Sequence, residues 1–195
     1  MRYVALTGSR FSGKDLVAEE FKKMGIKVFD ADTILKFIMH YKQSYVDKIV
    51  RKFGTNVYDC GVLRPSYFET PERFDELLDI VESEVISAFN LWASNNSNCN
   101  YIIFMYSVLF ERKLDKSFDC VINVHAPRDK RSDRMFQNTD VKLPDILNLM
   151  YDEMDEIEKN RLSNFVIHNY NVMSLKGQIQ DISHQIIINK KLIPF

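Results

Sequence analysis

Tyr3-Val4-Ala5-Leu6-Thr7-Gly8-Ser9-Arg10-Phe11-Ser12-Gly13-Lys14-Asp15 runs from an apolar segment into a glycine-flanked loop that ends in Gly-Lys. Tyr3 to Thr7 is a strand candidate. Lys14 to Met24 follows as a helix candidate, with Leu16, Val17, Phe21 and Met24 spaced for one face. Gly8 lets the chain turn off the strand, and Gly13 lets backbone N–H groups approach an anion without a Cβ in the way. The positive end of the helix dipole then points into the loop. Lys14 adds an ammonium where the β- and γ-phosphates of a nucleotide would sit. The pattern is that of a P-loop, with Gly8, Arg10, Phe11, Ser12, Gly13, Lys14, Asp15 and Leu16 as candidate nucleotide-binding residues.

One position departs from G-x-x-x-x-G-K-[ST]: residue 15 is Asp where a hydroxyl normally ligates Mg²⁺. Mg²⁺ takes oxygen ligands, commonly one or two carboxylates with phosphates and waters, so Asp15 is a candidate metal ligand. The alternative is a helix-start residue that complements the dipole.

At 195 residues and a net charge of −1, the chain fits one domain with a sizeable core and has no overall basic footprint for nucleic acid or anionic membrane. No apolar run reaches the roughly 18 residues of a membrane-spanning helix, and the amino terminus enters a strand without a signal-peptide pattern. A cytoplasmic enzyme is expected. Cys60, Cys99 and Cys120 are odd in number and widely spaced, which predicts reduced, partly buried thiols and no disulfide or zinc framework. His40, His125, His168 and His184 are equally scattered, without metal-ligand spacing or a serine elbow, and are assigned structural or surface roles.

Further strands are expected at Lys27 to Asp30, Tyr101 to Tyr106, Cys120 to His125 and Phe165 to Asn169, mostly near-continuous apolar runs of the kind covered on both faces. A long helix is expected from Glu72 to Ala93, with Phe74, Leu77, Leu78, Val81, Val85, Phe89 and Trp92 as its core stripe. Strands alternating with helices imply an α/β fold with a five-stranded parallel sheet and right-handed crossovers. A helix starting near Pro144 carries Asp152, Glu153, Asp155, Glu156 and Glu158 on a solvated face. Its apolar positions, Ile146, Leu147, Leu149, Met150, Met154 and Ile157, face the core or the site. The run Ile179, Ile182, Ile186, Ile187 is a packing helix.

Val28-Phe29-Asp30-Ala31-Asp32-Thr33 is the second chemical feature. Ligands in open parallel sheets gather beyond the carboxyl ends of strands, where Asp30 and Asp32 are expected. A carboxylate there can take a proton from an attacking hydroxyl or hold Mg²⁺ through water, which makes Asp32 the candidate base and Asp30 a candidate metal ligand. The competing role is capping of a helix that begins near Thr33.

Met1 to Gly8, Ser12-Gly13-Lys14, Gly25-Ile26 and Asp30-Ala31-Asp32 resemble, in order and spacing, the dephospho-coenzyme A kinases. Weaker similarity extends through Phe53-Gly54, Gly61-Val62-Leu63, Ser107-Val108-Leu109-Phe110-Glu111 and Val166-Ile167-His168-Asn169. The resemblance implies a single P-loop kinase domain over 1–195, a three-layer sandwich with a core of about 1–127 and 162–195 and a helical lid of about 128–161. It implies ATP and Mg²⁺ as cosubstrates, and transfer of the γ-phosphoryl to the 3′-hydroxyl of dephospho-coenzyme A in coenzyme A biosynthesis. Lys14, Asp32 and the lid residue Arg134 are then the catalytic set.

Departures cluster on the lid and the acceptor side. Asn138 stands where the family has a second lid arginine, Glu153 replaces a glutamine, Glu156 replaces an arginine or neutral residue, and Lys159 keeps the basic character. Phosphate clamping weakens unless Arg128 or Arg131 substitutes. Glu82-Ser83 stands for the family's His-Pro pair. The Gly-Lys-Asp loop is also similar to that of viral deoxynucleoside monophosphate kinases, in which case the acceptor is a nucleotide and Arg64 and Arg73 are its candidate ligands. A third reading keeps the fold and nucleotide binding without turnover.

Overall fold

A computed structural model of the chain describes residues 1–68, 70–137, 154–170 and 175–188. The chain divides into two compact units, Met1–Phe29 with Ala93–Thr139 and Glu153–Phe195, and Asp30–Trp92 with Asp140–Asp152.

The first unit is built on a five-stranded parallel sheet. Its strands are β1 (Arg2–Thr7), β2 (Lys27–Asp30), β5 (Tyr101–Met105), β6 (Cys120–His125) and β7 (Phe165–His168), in the order β2-β5-β1-β6-β7. Val4 of β1 is in register with Ile103 of β5 and Cys120 of β6, and His125 of β6 with His168 of β7. Alternate side chains take opposite faces. Val4, Leu6, Ile103, Cys120, Ile122, Val124 and Ile167 join a core with Val17, Ala18 and Phe21 of α1 (Lys14–Lys23), and with Leu175, Ile179, Ile182 and Ile186 of the carboxyl-terminal helix Leu175–Ile188. Met24 lies outside this face. The helix stops at Lys23, because the backbone N–H groups of Met24 and Gly25 turn back to the carbonyls of Phe21 and Lys22, and the Met24 side chain is 40% exposed. Ile187 is also exposed on the carboxyl-terminal helix.

The second unit holds α2 (Ala31–Tyr41), α3 (Gln43–Phe53), a hairpin of β3 (Tyr58–Asp59) and β4 (Val62–Leu63), and most of α4 (Pro71–Ser94). The predicted stripe of α4 is buried from Phe74 to Phe89. The hairpin carries no strong apolar pattern. Its two turn residues, Cys60 and Gly61, both take positive φ, at 48° and 81°, the twist that matches paired strands. Cys60 is therefore exposed at the turn, in contrast to the partly buried thiol expected. Tyr45 donates to Glu84 at 2.9 Å, and Lys42 pairs with the same carboxylate, so the α3 start is held to α4.

Among the described residues, the first unit also holds α5 (Arg128–Gln137) and α6 (Glu156–Leu162). Asn138, Pro144 and Glu153, with Ile146, Leu147, Leu149, Met150 and Asp152, lie outside the described residues. Met154 and Asp155 are not helical, Asp155 has φ −54° and ψ 138°, and α6 begins at Glu156, so no single helix carries Asp155 together with Glu156 and Glu158 as expected. Asp155 is exposed as expected, but Ile157, expected to face the core or the site, is 76% exposed, the Glu156 side chain is turned in, and Lys159 is 1% exposed. No helix among the described residues is long and apolar enough to cross a membrane.

Candidate active site

The loop between β1 and α1 turns on two backbone features. Ser12 N–H donates to the Ser9 carbonyl at 2.9 Å, and Phe11 takes the left-handed φ of 58°. Gly13, at φ 89° and ψ 29°, is the N-cap of α1. A Cβ at Gly13 would run into Asn169 Nδ2, and one at Gly8 would lie 2.7 Å from the Val124 carbonyl of β6. Neither glycine tolerates a side chain. The hydroxyls of Ser9 and Ser12 are buried and have no hydrogen-bond partner among the described residues.

The carbonyl side of the loop is held from behind. Arg134 of α5 donates from Nη1 to the carbonyls of Phe11 and Ser12, at 2.9 and 3.0 Å, and from Nη2 to the Asn169 carbonyl at 3.0 Å. Asn169, at the end of β7, donates from Nδ2 to the Ser12 carbonyl at 2.7 Å. Arg131 donates to the Arg10 carbonyl at 3.4 Å. With carbonyls 10 to 12 turned to these donors, peptide N–H groups are left for an anion, the arrangement that a phosphate cradle requires. Sequence reasoning missed Asn169 and the carbonyl-binding role of Arg131. The signal available was a polar residue closing an otherwise apolar strand.

Lys14 is the first residue of α1, and its ammonium lies 3.4 Å from the Asp15 carboxylate. The Lys14 side chain is 15% exposed and that of Asp15 77%, so the carboxylate stands in solvent at the helix N-terminus. Leu16 packs partly buried against the core beneath.

In the second unit, Asp30 caps α2. Its Oδ1 accepts from Thr33 N–H at 3.0 Å and its Oδ2 from the Thr33 hydroxyl at 2.7 Å. The cap starts the helix at Ala31, two residues earlier than expected, and places Asp32 in the first turn, 7% exposed. Arg64 pairs with Asp59 at 3.2 Å, and Arg73 donates to the Tyr67 carbonyl at 3.2 Å.

The histidines are less bland than scatter implied. His125 Nδ1 lies 2.7 Å from Glu156 Oε2. His168 stacks on Tyr170 at 5.3 Å and meets the His125 ring edge-on at 5.6 Å. Burial, and then the neighbouring His125, hold the His168 pKa below its ordinary value of 6.5. Lys159 does not extend toward the loop. It pairs with Glu111 at 2.9 Å, with both side chains buried. No group of three or more His, Cys, Asp or Glu residues able to hold a metal occurs among the described residues.

The dephospho-CoA kinase family model (CoaE) matches residues 2–174. The chain belongs to the dephospho-CoA kinase family. Dephospho-CoA kinases are phosphotransferases, and the chain is a kinase of the P-loop fold. It is 26% identical over 172 residues to the dephospho-CoA kinase of Fusobacterium nucleatum, covering 85% of this chain and 88% of the relative. It is 26% identical over 191 residues to that of Bacillus licheniformis, covering 94% and 92%. Among solved structures, a Thermus thermophilus protein superposes with a TM-score of 0.77 at 19% identity, over 96% of this chain and 98% of that one. A dephospho-CoA kinase from Campylobacter jejuni superposes at 0.63 and 18%, over 94% and 96%. At these identities the structural likeness carries the fold, and family membership rests on the sequence match.

Proposed function

We propose that the protein transfers the γ-phosphoryl of ATP to the 3′-hydroxyl of dephospho-CoA. The observation that carries the proposal is the loop of Gly8 to Lys14, whose carbonyls are bound by Arg134, Asn169 and Arg131 while Gly13 opens the N-terminus of α1. Membership of the family names the acceptor class.

In this reading the N–H groups of the loop bind the β-phosphate and Lys14 follows the γ-phosphoryl as charge develops on its oxygens. Asp32, buried in the first turn of α2, takes the proton of the ribose hydroxyl as that oxygen attacks phosphorus. Arg134 acts first through the loop, because its two terminal nitrogens are engaged with three carbonyls. Asp15 fits Mg²⁺: an exposed carboxylate in the first helical turn matches an ion that keeps waters and binds through one or two carboxylates and phosphate oxygens. The ion neutralises phosphate charge when bound. Asp30, with both oxygens accepting from Thr33, would join it only through water.

The test is ATP-to-ADP conversion by the purified protein with Mg²⁺, run separately with dephospho-CoA and with each deoxynucleoside monophosphate. Consumption of dephospho-CoA, lost by about 10²–10⁴-fold in Asp32→Asn, is the expected result. Turnover of a nucleotide that survives Asp32→Asn moves the assignment to a nucleoside monophosphate kinase, whose acceptor is already an anion. A binding protein without turnover is the reading favoured by the engagement of Arg134, and ATP binding with no acceptor consumed would select it.

A further inference from the structure

The inner side of α6 is polar where a docked helix is ordinarily apolar. Lys159 Nζ meets Glu111 Oε1 at 2.9 Å, and the same oxygen accepts the Met154 N–H at 3.1 Å. On the next residue, Asn160 Oδ1 accepts from Asn123 Nδ2 at 2.8 Å, and Asn123 is fully buried in β6. At the helix start, Glu156 takes His125 at 2.7 Å and lies 4.0 Å from Arg131, whose other terminal nitrogen reaches the Arg10 carbonyl of the phosphate loop. Ile157, the apolar residue of the first turn, points to solvent. A seam of this kind contributes little stability over an apolar one of equal volume, because each buried charge has lost its hydration. What it supplies is register: Lys159 Nζ, Asn160 Oδ1 and Glu156 Oε2 each meet one partner, while Glu111 Oε2, Asn123 Oδ1 and Glu156 Oε1 are buried without a hydrogen-bond partner among the described residues.

We propose that Glu111 is a positioning residue for nucleotide binding. Its carboxylate seats α6 through Lys159 and the Met154 N–H. The seat places Glu156 against His125 and Arg131, and Arg131, beside Arg134 on α5, helps keep the loop carbonyls turned away from the phosphates. Glu111 thus acts at a distance on the cradle, through contacts that are continuous from the loop after β5 to Arg10. The inference rests on the proposed ATP-binding reading of the loop and is independent of the acceptor.

The experiment compares ATP affinity and melting temperature in three variants of the full chain. Glu111→Leu with Lys159→Met removes both charges and the acceptor for Met154. Glu111→Gln with Lys159→Met removes the charges and keeps that acceptor. Glu156→Gln leaves the buried pair intact and weakens the relay beyond it. The Leu/Met variant should bind ATP about tenfold more weakly while remaining folded, the Gln/Met variant should recover at least half of that loss on a logarithmic scale, and Glu156→Gln should weaken binding by about threefold or more. A purely structural seam predicts a lower melting temperature with ATP affinity of the folded protein unchanged. Affinity within about twofold of the parent in the Leu/Met variant overturns the proposal, and the same result in Glu156→Gln overturns it if the Leu/Met variant does not fold. Parent protein that binds ATP and leaves dephospho-CoA unconsumed overturns the acceptor assignment while these comparisons stand. Parent protein that binds no ATP overturns both.

Discussion

Asn169 donates from Nδ2 to the carbonyl of Ser12 at 2.7 Å, joining the end of β7 to the middle of the phosphate loop across more than 150 residues of sequence. The contact explains why residue 13 has no side chain. Gly13 combines a left-handed φ of 89° with an Asn169 amide where a Cβ would be. Gly13→Ala therefore carries both backbone strain of about 1–3 kcal/mol and displacement of Asn169. Thermal melts should show the lost stability, and an ATP titration should show weakened binding beyond it. A Gly13→Ala protein that binds ATP normally would contradict the cradle.

Lys14→Ala leaves the loop backbone intact and removes the ammonium at the start of α1. The expected loss in kcat is about 10²–10³-fold, the usual cost of deleting one preorganised charge partner of a transferring group. Steady-state turnover measures it. Full activity in this variant would remove the P-loop from the mechanism.

His168 is depressed below 6.5, chiefly by burial. Above 6.5 the ring is neutral in both folded and unfolded chains. As pH falls below that value the unfolded chain takes up the proton first, so folding loses stability as the pH is lowered toward the folded pKa. Melting temperatures measured between pH 7 and pH 5 should fall, and His168→Gln should reduce the slope. Tyr170, His125 and Glu156 face the same cluster, and an unchanged slope in His168→Gln would contradict the role of His168.

The three thiols should separate by reactivity. Burial pushes the Cys120 thiol up to about 12, while Cys60 sits exposed in the hairpin turn. A thiolate reagent at pH 8 should label Cys60 first and Cys120 only on unfolding. Mass spectrometry of the labelled protein identifies the order, and early labelling of Cys120 would contradict its burial in the sheet.

The order of residues by itself determined the sheet and the loop. Near-continuous apolar runs at Val4 to Leu6 and Cys120 to Val124 read as strands covered on both faces, and Gly8 to Lys14 reads as a turn into a helix. These are local properties, set by the spacing of a few neighbouring side chains. The tertiary structure alone decided which side chains meet. The pairing of His125 with Glu156, the seat of Lys159 on Glu111 and the grip of Asn169 and Arg134 on the loop carbonyls join segments far apart in the chain. Glu156 fits a solvated face by periodicity alone. It and Lys159 are turned inward because β6 and the loop after β5 present His125 and Glu111 as partners for their charges, whereas Glu158 stays at the surface beside Arg161 and Ile157 faces water.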